Sequence, residues 1–149
     1  MTLLFSACDP FPVRDRIGVS LSIDTRSVVI HRALCPGEKV VSVRLVETDG
    51  NVVGDDDDPV LWEIVSQMGS PQSVYTAGSV PAGFGERVPL RGPLPERHLL
   101  GALVETSLSK AGHVTFRLPD LSPDVILTGR GKRVDVSSFT KQIREGCPD

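Results

Sequence analysis

Ile17, Val19, Leu21 and Ile23 alternate with Gly18, Ser20 and Ser22. A period of two places apolar side chains on one face of an extended chain, which predicts a half-buried strand. Asp24-Thr25-Arg26-Ser27 reads as a turn, and Val28 to Cys35 as a second strand. The Pro36-Gly37 turn that follows suits a hairpin. Val41, Val43 and Leu45 alternate with Ser42 and Arg44 in a third strand, ended by Asp49-Gly50-Asn51. After Pro59, Val60, Trp62 and Ile64 share one face of a fourth strand and Glu63 lies on the other. A looser region from Gln67 to Pro95 holds two short strand candidates, Val74–Ala77 and Glu86–Leu90. Between them, Val80-Pro81-Ala82-Gly83-Phe84-Gly85 has too many breakers for a regular element. The Leu99–Leu108 stretch is apolar and rich in β-branched residues, which favours a strand over a helix. Val114, Phe116 and Leu118 alternate with Thr115 and Arg117. Val125–Thr128, Gly129–Lys132 and Val134–Val136 read as a closing hairpin. Ser137-Ser138-Phe139-Thr140 can cap a short C-terminal helix with Phe139 and Ile143 on its apolar side.

These elements make eight or nine strands at intervals of roughly 8–12 residues, the spacing of a sandwich or barrel. Composition strengthens the all-β reading. Valine occurs 20 times and alanine only 6 times in 149 residues. β-Branched side chains suit a pleated sheet, whereas alanine is the best helix former. The expectation is an antiparallel β-sandwich, immunoglobulin-like, with a short C-terminal helix. Residues 17–149 form one such domain, because no composition break divides them. The net charge of −3 and the lack of a long basic run argue against a nucleic-acid partner. No apolar stretch reaches the roughly 18–20 residues of a membrane-spanning helix.

Three cysteines, Cys8, Cys35 and Cys147, change the picture. None are spaced for a zinc knuckle or a Cys-x-x-Cys redox site. Cys35 and Cys147 are either joined in a disulfide, leaving Cys8 alone, or are two separate buried thiols. The bond would belong to an oxidising compartment. The segment Leu4-Phe5-Ser6-Ala7-Cys8 resembles the end of a bacterial lipoprotein signal, where two small residues precede a lipid-bearing cysteine. That resemblance implies lipid attachment at Cys8, with Asp9-Pro10-Phe11-Pro12 as the start of a tether. Residues 1–16 are accordingly read as a truncated signal and lipobox followed by that tether. A wider resemblance rests on Cys35-Pro36-Gly37-Glu38, Pro59-Val60-Leu61-Trp62-Glu63-Ile64, Val80-Pro81-Ala82-Gly83-Phe84 and the C-terminal cysteine. Together these are similar to small uncharacterised bacterial lipoproteins with a β-sandwich domain. The resemblance implies a location on the extracytoplasmic face of the cell membrane and leaves the activity open.

Candidate chemistry is sparse. Asp55–Asp58 supplies four carboxylates, but without the alternating spacing of a calcium loop, so a solvated loop is expected and no metal. His31, His98 and His113 are far apart, in a strand, before a strand and in a turn, with no His-x-His or His-Glu-x-x-His pattern. No Gly-x-Ser-x-Gly elbow and no phosphate-binding loop occurs. Gly129-Arg130-Gly131-Lys132 reads as a hairpin turn. Trp62 is expected in the core. Phe84 either plugs the end of the sandwich or projects as a contact residue. No catalytic residue and no cofactor is expected. Phe84, Asp56 and Asp57 are the candidate contact surface, because loops on a rigid sandwich commonly carry binding. The expected function is a non-enzymatic, lipid-anchored cell-envelope module with an unidentified protein or small-molecule partner. The alternatives are a cytosolic interaction domain with reduced cysteines, or a small hydrolase.

Overall fold

The computed structural model describes residues 16–50, 53, 57–108 and 112–147. The alternating segments are strands, numbered β1 (Ile17–Leu21), β2 (Val28–Arg32), β3 (Val40–Glu47), β4 (Val60–Ser70) and β5 (Val74–Thr76). They continue as β6 (Gly85–Val88), β7 (Leu100–Thr106), β8 (Gly112–Phe116), β9 (Ile126–Thr128) and β10 (Arg133–Val134), followed by helix α1 (Val136–Gly146). Two five-stranded sheets form, in the orders β10-β9-β1-β2-β5 and β6-β4-β3-β7-β8. Every pairing within them is antiparallel. The protein is an all-β sandwich with one short helix.

The core follows from period two. Ile17, Val19, Val28, Ile30 and Tyr75 of the first sheet meet Val43, Leu45, Trp62, Ile64, Leu100, Ala102, Val104, Val114 and Phe116 of the second. Trp62 is fully buried at the centre. Interdigitation of two inner faces is what makes such a layer dry and dense.

The structure corrects the sequence reading in several places. Ten strands are present among the described residues, the two-residue β10 ending the first sheet, and β4 runs on through Gln67 to Ser70. A bulge between Val40 and Ser42 puts Val40, not Val41, in the core with Val43 and Leu45. An extra residue in one strand shifts the alternation locally, and periodicity does not reveal it. His113 lies within β8 and not in a turn. Helix α1 begins earlier than Ser137. Its N-cap is Asp135, whose Oδ1 accepts from the Ser138 amide at 2.6 Å. That hydrogen bond also lowers the Asp135 carboxyl pKa. Val136 is therefore the first helical residue and not part of the closing hairpin.

The Pro36-Gly37 turn is real, with the Glu38 amide donating to the Cys35 carbonyl at 3.0 Å and Gly37 at φ 82°. It is not a hairpin, however: β2 belongs to the first sheet and β3 to the second. The crossing closes over a buried ion pair. Arg32, on the inward face of β2 with Val28 and Ile30, is fully buried. Its Nη2 lies 3.1 Å from Glu38 Oε2. The same Oε2 accepts from Thr106 Oγ1 at 2.6 Å, and Oε1 accepts from the Cys35 amide at 3.1 Å. One carboxylate thus ties both sheets to the turn.

Candidate binding surface

Residues that alternate with the core point outward. On the second sheet these include Arg44 of β3, Leu61, Glu63 and Val65 of β4, and Leu103 of β7. Arg44, Glu63 and Leu103 are aligned across three strands by the register Glu63↔Arg44↔Leu103. On the other side of Glu63 the register slips. Glu63 pairs with Val88 and Ile64 with Glu86, so Arg87 is the extra residue of a β-bulge. Bulges re-aim side chains. Here Arg87 is turned onto the Glu63 face. Its Nε stands 3.6 Å from Glu63 Oε1, while Arg44 Nε stands 3.7 Å from Oε2.

One carboxylate, 12% exposed, is thus held between two guanidinium groups. Both separations exceed hydrogen-bond length, and neither guanidinium donates a hydrogen bond to another of the described residues. Arginine carries five donors in a planar fork, so the pair keeps donor capacity for a further anion. Arg87 also lines two clefts. One, of about 390 Å³, is bounded by Leu61, Val88 and Arg91 and a proline-rich wall of Pro89, Pro93 and Pro95. The other, of about 570 Å³, is bounded by Val65, Met68, Phe84 and Glu86. Met68 is 86% exposed, the most exposed large apolar side chain among the described residues.

Of the contact residues expected from sequence, Phe84 is half-buried. Its ring meets Tyr75 edge-on with centroids 5.4 Å apart, and one side lines the larger cleft. The plug is therefore the main role of Phe84. Asp57 is exposed, and Asp56 lies outside the described residues, as does Cys8. Phe84 and Asp57 do not share one surface. Val60, next to the Asp57 loop, and Val65, paired with Gly85, are five residues apart on β4, about 16 Å at strand rise. Sequence reasoning missed Arg44, Glu63 and Arg87 as a group. Arg44 and Glu63 were legible as outward-facing, but the bulge that adds Arg87 was not.

The histidines are spread out, His31 in β2, His98 in the segment before β7 and His113 in β8. His31 Nε2 lies 2.8 Å from Ser20 Oγ on the outer face of the first sheet. A serine next to an imidazole is the start of a nucleophilic pair. Both are buried, however, and the Phe139 ring of α1 stands edge-on to His31 at 6.1 Å. Burial lowers the His31 pKa from 6.5 to about 4, so the ring is neutral near pH 7. His98 is exposed and pairs through Nδ1 with Glu47 Oε1. Among the described residues, no three His, Cys, Asp or Glu side chains converge as a metal site.

At the other end of α1, Cys147 is bonded to Cys35, with sulfurs 2.13 Å and Cα atoms 5.3 Å apart. Phe139 packs with Ala33, Ile126 and Val134 in a small second core. The helix is thus held on the outer face of the first sheet by an aromatic anchor and a covalent strap.

No family model matches the chain, and neither a curated protein nor a solved structure is similar to it at a significant level.

Proposed function

We propose that the protein is a non-enzymatic, immunoglobulin-like β-sandwich binding module that works outside the cytoplasm, held on the extracytoplasmic face of the cell membrane by lipid on Cys8. The observation that carries the extracytoplasmic part is the Cys35–Cys147 bond, which closes a sequence separation of 112 residues. Disulfides persist in oxidising compartments and are rare where thioredoxin and glutathione keep thiols reduced. The lipobox-like Leu4–Cys8 segment supports the anchor. A lipid group with several acyl chains holds stably, whereas a single chain binds marginally. The binding part is supported by two clefts that meet at an arginine re-aimed by a bulge.

The test is the intact mass of the protein purified from its own host with its native upstream codons. A mature chain beginning at Cys8 with added acyl mass is the expected result. A chain beginning at Met1 or Thr2, without lipid and with all three cysteines reduced, would instead mean a cytosolic interaction domain.

A further inference from the structure

We infer that the outer face of β4 and β6 binds an extended peptide segment that carries an acidic side chain between two apolar ones. The inference rests on the reading of the protein as a binding module. It does not depend on the lipid anchor.

Three observations converge on this occupant. The first is charge. Arg87 lines both clefts, Arg91 the smaller and Glu86 the larger, with Arg44 and Glu63 beside them, so the cleft linings carry two arginines against one glutamate although the chain as a whole is net negative. The two guanidinium groups flanking Glu63 already sit one on each of its oxygens, with donors left over. A second carboxylate laid across them would take those donors as charge-assisted hydrogen bonds.

The second is spacing. Leu61 and Val65 border different clefts and lie two residues either side of Glu63 on the same face of β4. At strand rise they are about 13 Å apart. An extended peptide places the side chains at two positions before and two positions after a central residue about 13 Å apart as well. A central Asp or Glu over the arginines therefore sends its apolar neighbours into the two clefts.

The third is the state of the edge. β6 ends its sheet, but it is four residues long, bulged and carries Glu86 and Arg87. Those are the features that discourage strand addition. The ligand is thus expected on the face, where side chains read it, and not as a sixth strand. Exposed Met68 at the rim of the larger cleft adds an adaptable apolar contact.

The experiment is selection of a phage-displayed random nonapeptide library on the immobilised full chain, with an R44Q/R87Q variant as counter-target. Both side chains are solvent-accessible, so an unchanged thermal midpoint and Trp62 emission establish that the variant folds. The expected winners carry Asp or Glu with apolar residues two positions to either side. The affinity of the best synthetic peptide should fall by about ten-fold or more in R44Q/R87Q and weaken with added salt. E63Q should bind it more tightly, because the competing carboxylate is gone while its shape remains. A purely structural Glu63 would not produce that gain. Failure to enrich any peptide, or enrichment of basic or uncharged ones, would overturn the inference while leaving a non-peptide partner to the binding module. Acidic peptides held equally by R44Q/R87Q would overturn this site but retain the binding reading.

Discussion

Replacing Glu38 with alanine tests how the two sheets are joined at the Pro36-Gly37 corner. Glu38 accepts from Arg32, Thr106 and the Cys35 amide, and both it and Arg32 are buried. A buried ion pair is weak evidence for net stability, because desolvation offsets the attraction. Removing one partner is different, since the guanidinium stays in the interior without the carboxylate opposite. Such losses are about 3–5 kcal/mol. A domain of this kind has a total of about 5–15 kcal/mol. At about 2–4 °C per kcal/mol, the thermal midpoint of E38A should drop by about 6–20 °C. The fluorescence of Trp62, the single tryptophan and fully buried, reports unfolding in guanidinium chloride. The midpoint should fall with the slope unchanged, as expected when stability changes without a change in exposed surface. An R32M/E38L variant should recover the part of the loss that comes from the guanidinium left without its carboxylate, but not the part from the Thr106 hydroxyl and the Cys35 amide, which still lose their acceptor. A cost below about 1 kcal/mol for E38A would refute the reasoning, since a carboxylate with three buried partners cannot be that dispensable.

Three further outcomes are expected. The His31 pKa is lowered by burial, so between pH 6.5 and about 4 the unfolded chain takes up a proton that the folded chain does not. Its contribution is intact above pH 6.5 and is lost as pH falls, by roughly 3 kcal/mol at the low end. Denaturant melts of wild type and H31Q across that range should converge as the pH drops, and parallel pH dependence would sink the assignment. At Gly18 an added Cβ would lie 2.2 Å from Ile126 Cγ2 and 3.0 Å from the Leu127 carbonyl oxygen. G18A should therefore lose about 1–3 kcal/mol or more through overpacking between β1 and β9, and a neutral result by thermal melt would contradict that packing. Thiol titration of the denatured, unreduced chain should find Cys35 and Cys147 unreactive. Removing both cysteines should lower stability by about 4–5 kcal/mol in the chain-entropy model, and a variant as stable as wild type would show that the strap adds nothing.

The outward position of Arg44 and Glu63 and the inward position of Trp62 and Ile64 were legible in the chain, because a strand's side chains must alternate. The same rule made Val74–Ala77 and Glu86–Leu90 visible as short strands inside a breaker-rich stretch. It also set Val114 and Phe116 on one face of a strand, and that face lies in the core. It failed at Val41, where a bulge adds a residue, and at Arg87 for the same reason. Phe84 was read as either plug or contact because a loop aromatic has no period. Only the position of Tyr75 across the gap decides between them.

Local pattern alone determined the all-β class and the closing hairpin of β9 with β10, though it also suggested a hairpin at Pro36-Gly37 that the structure does not form. Alternation, turn chemistry and β-branched content are properties of neighbours in sequence, so they can be read there. What joins residues far apart was decided only in three dimensions. The partition of ten strands between two sheets is of this kind, as are the Arg32–Glu38–Thr106 tie and the covering of His31 by α1. So is the meeting of Arg44 and Arg87 on one carboxylate. Each depends on which distant segments share the same core, and burial rewards any apolar face without naming the face that will cover it.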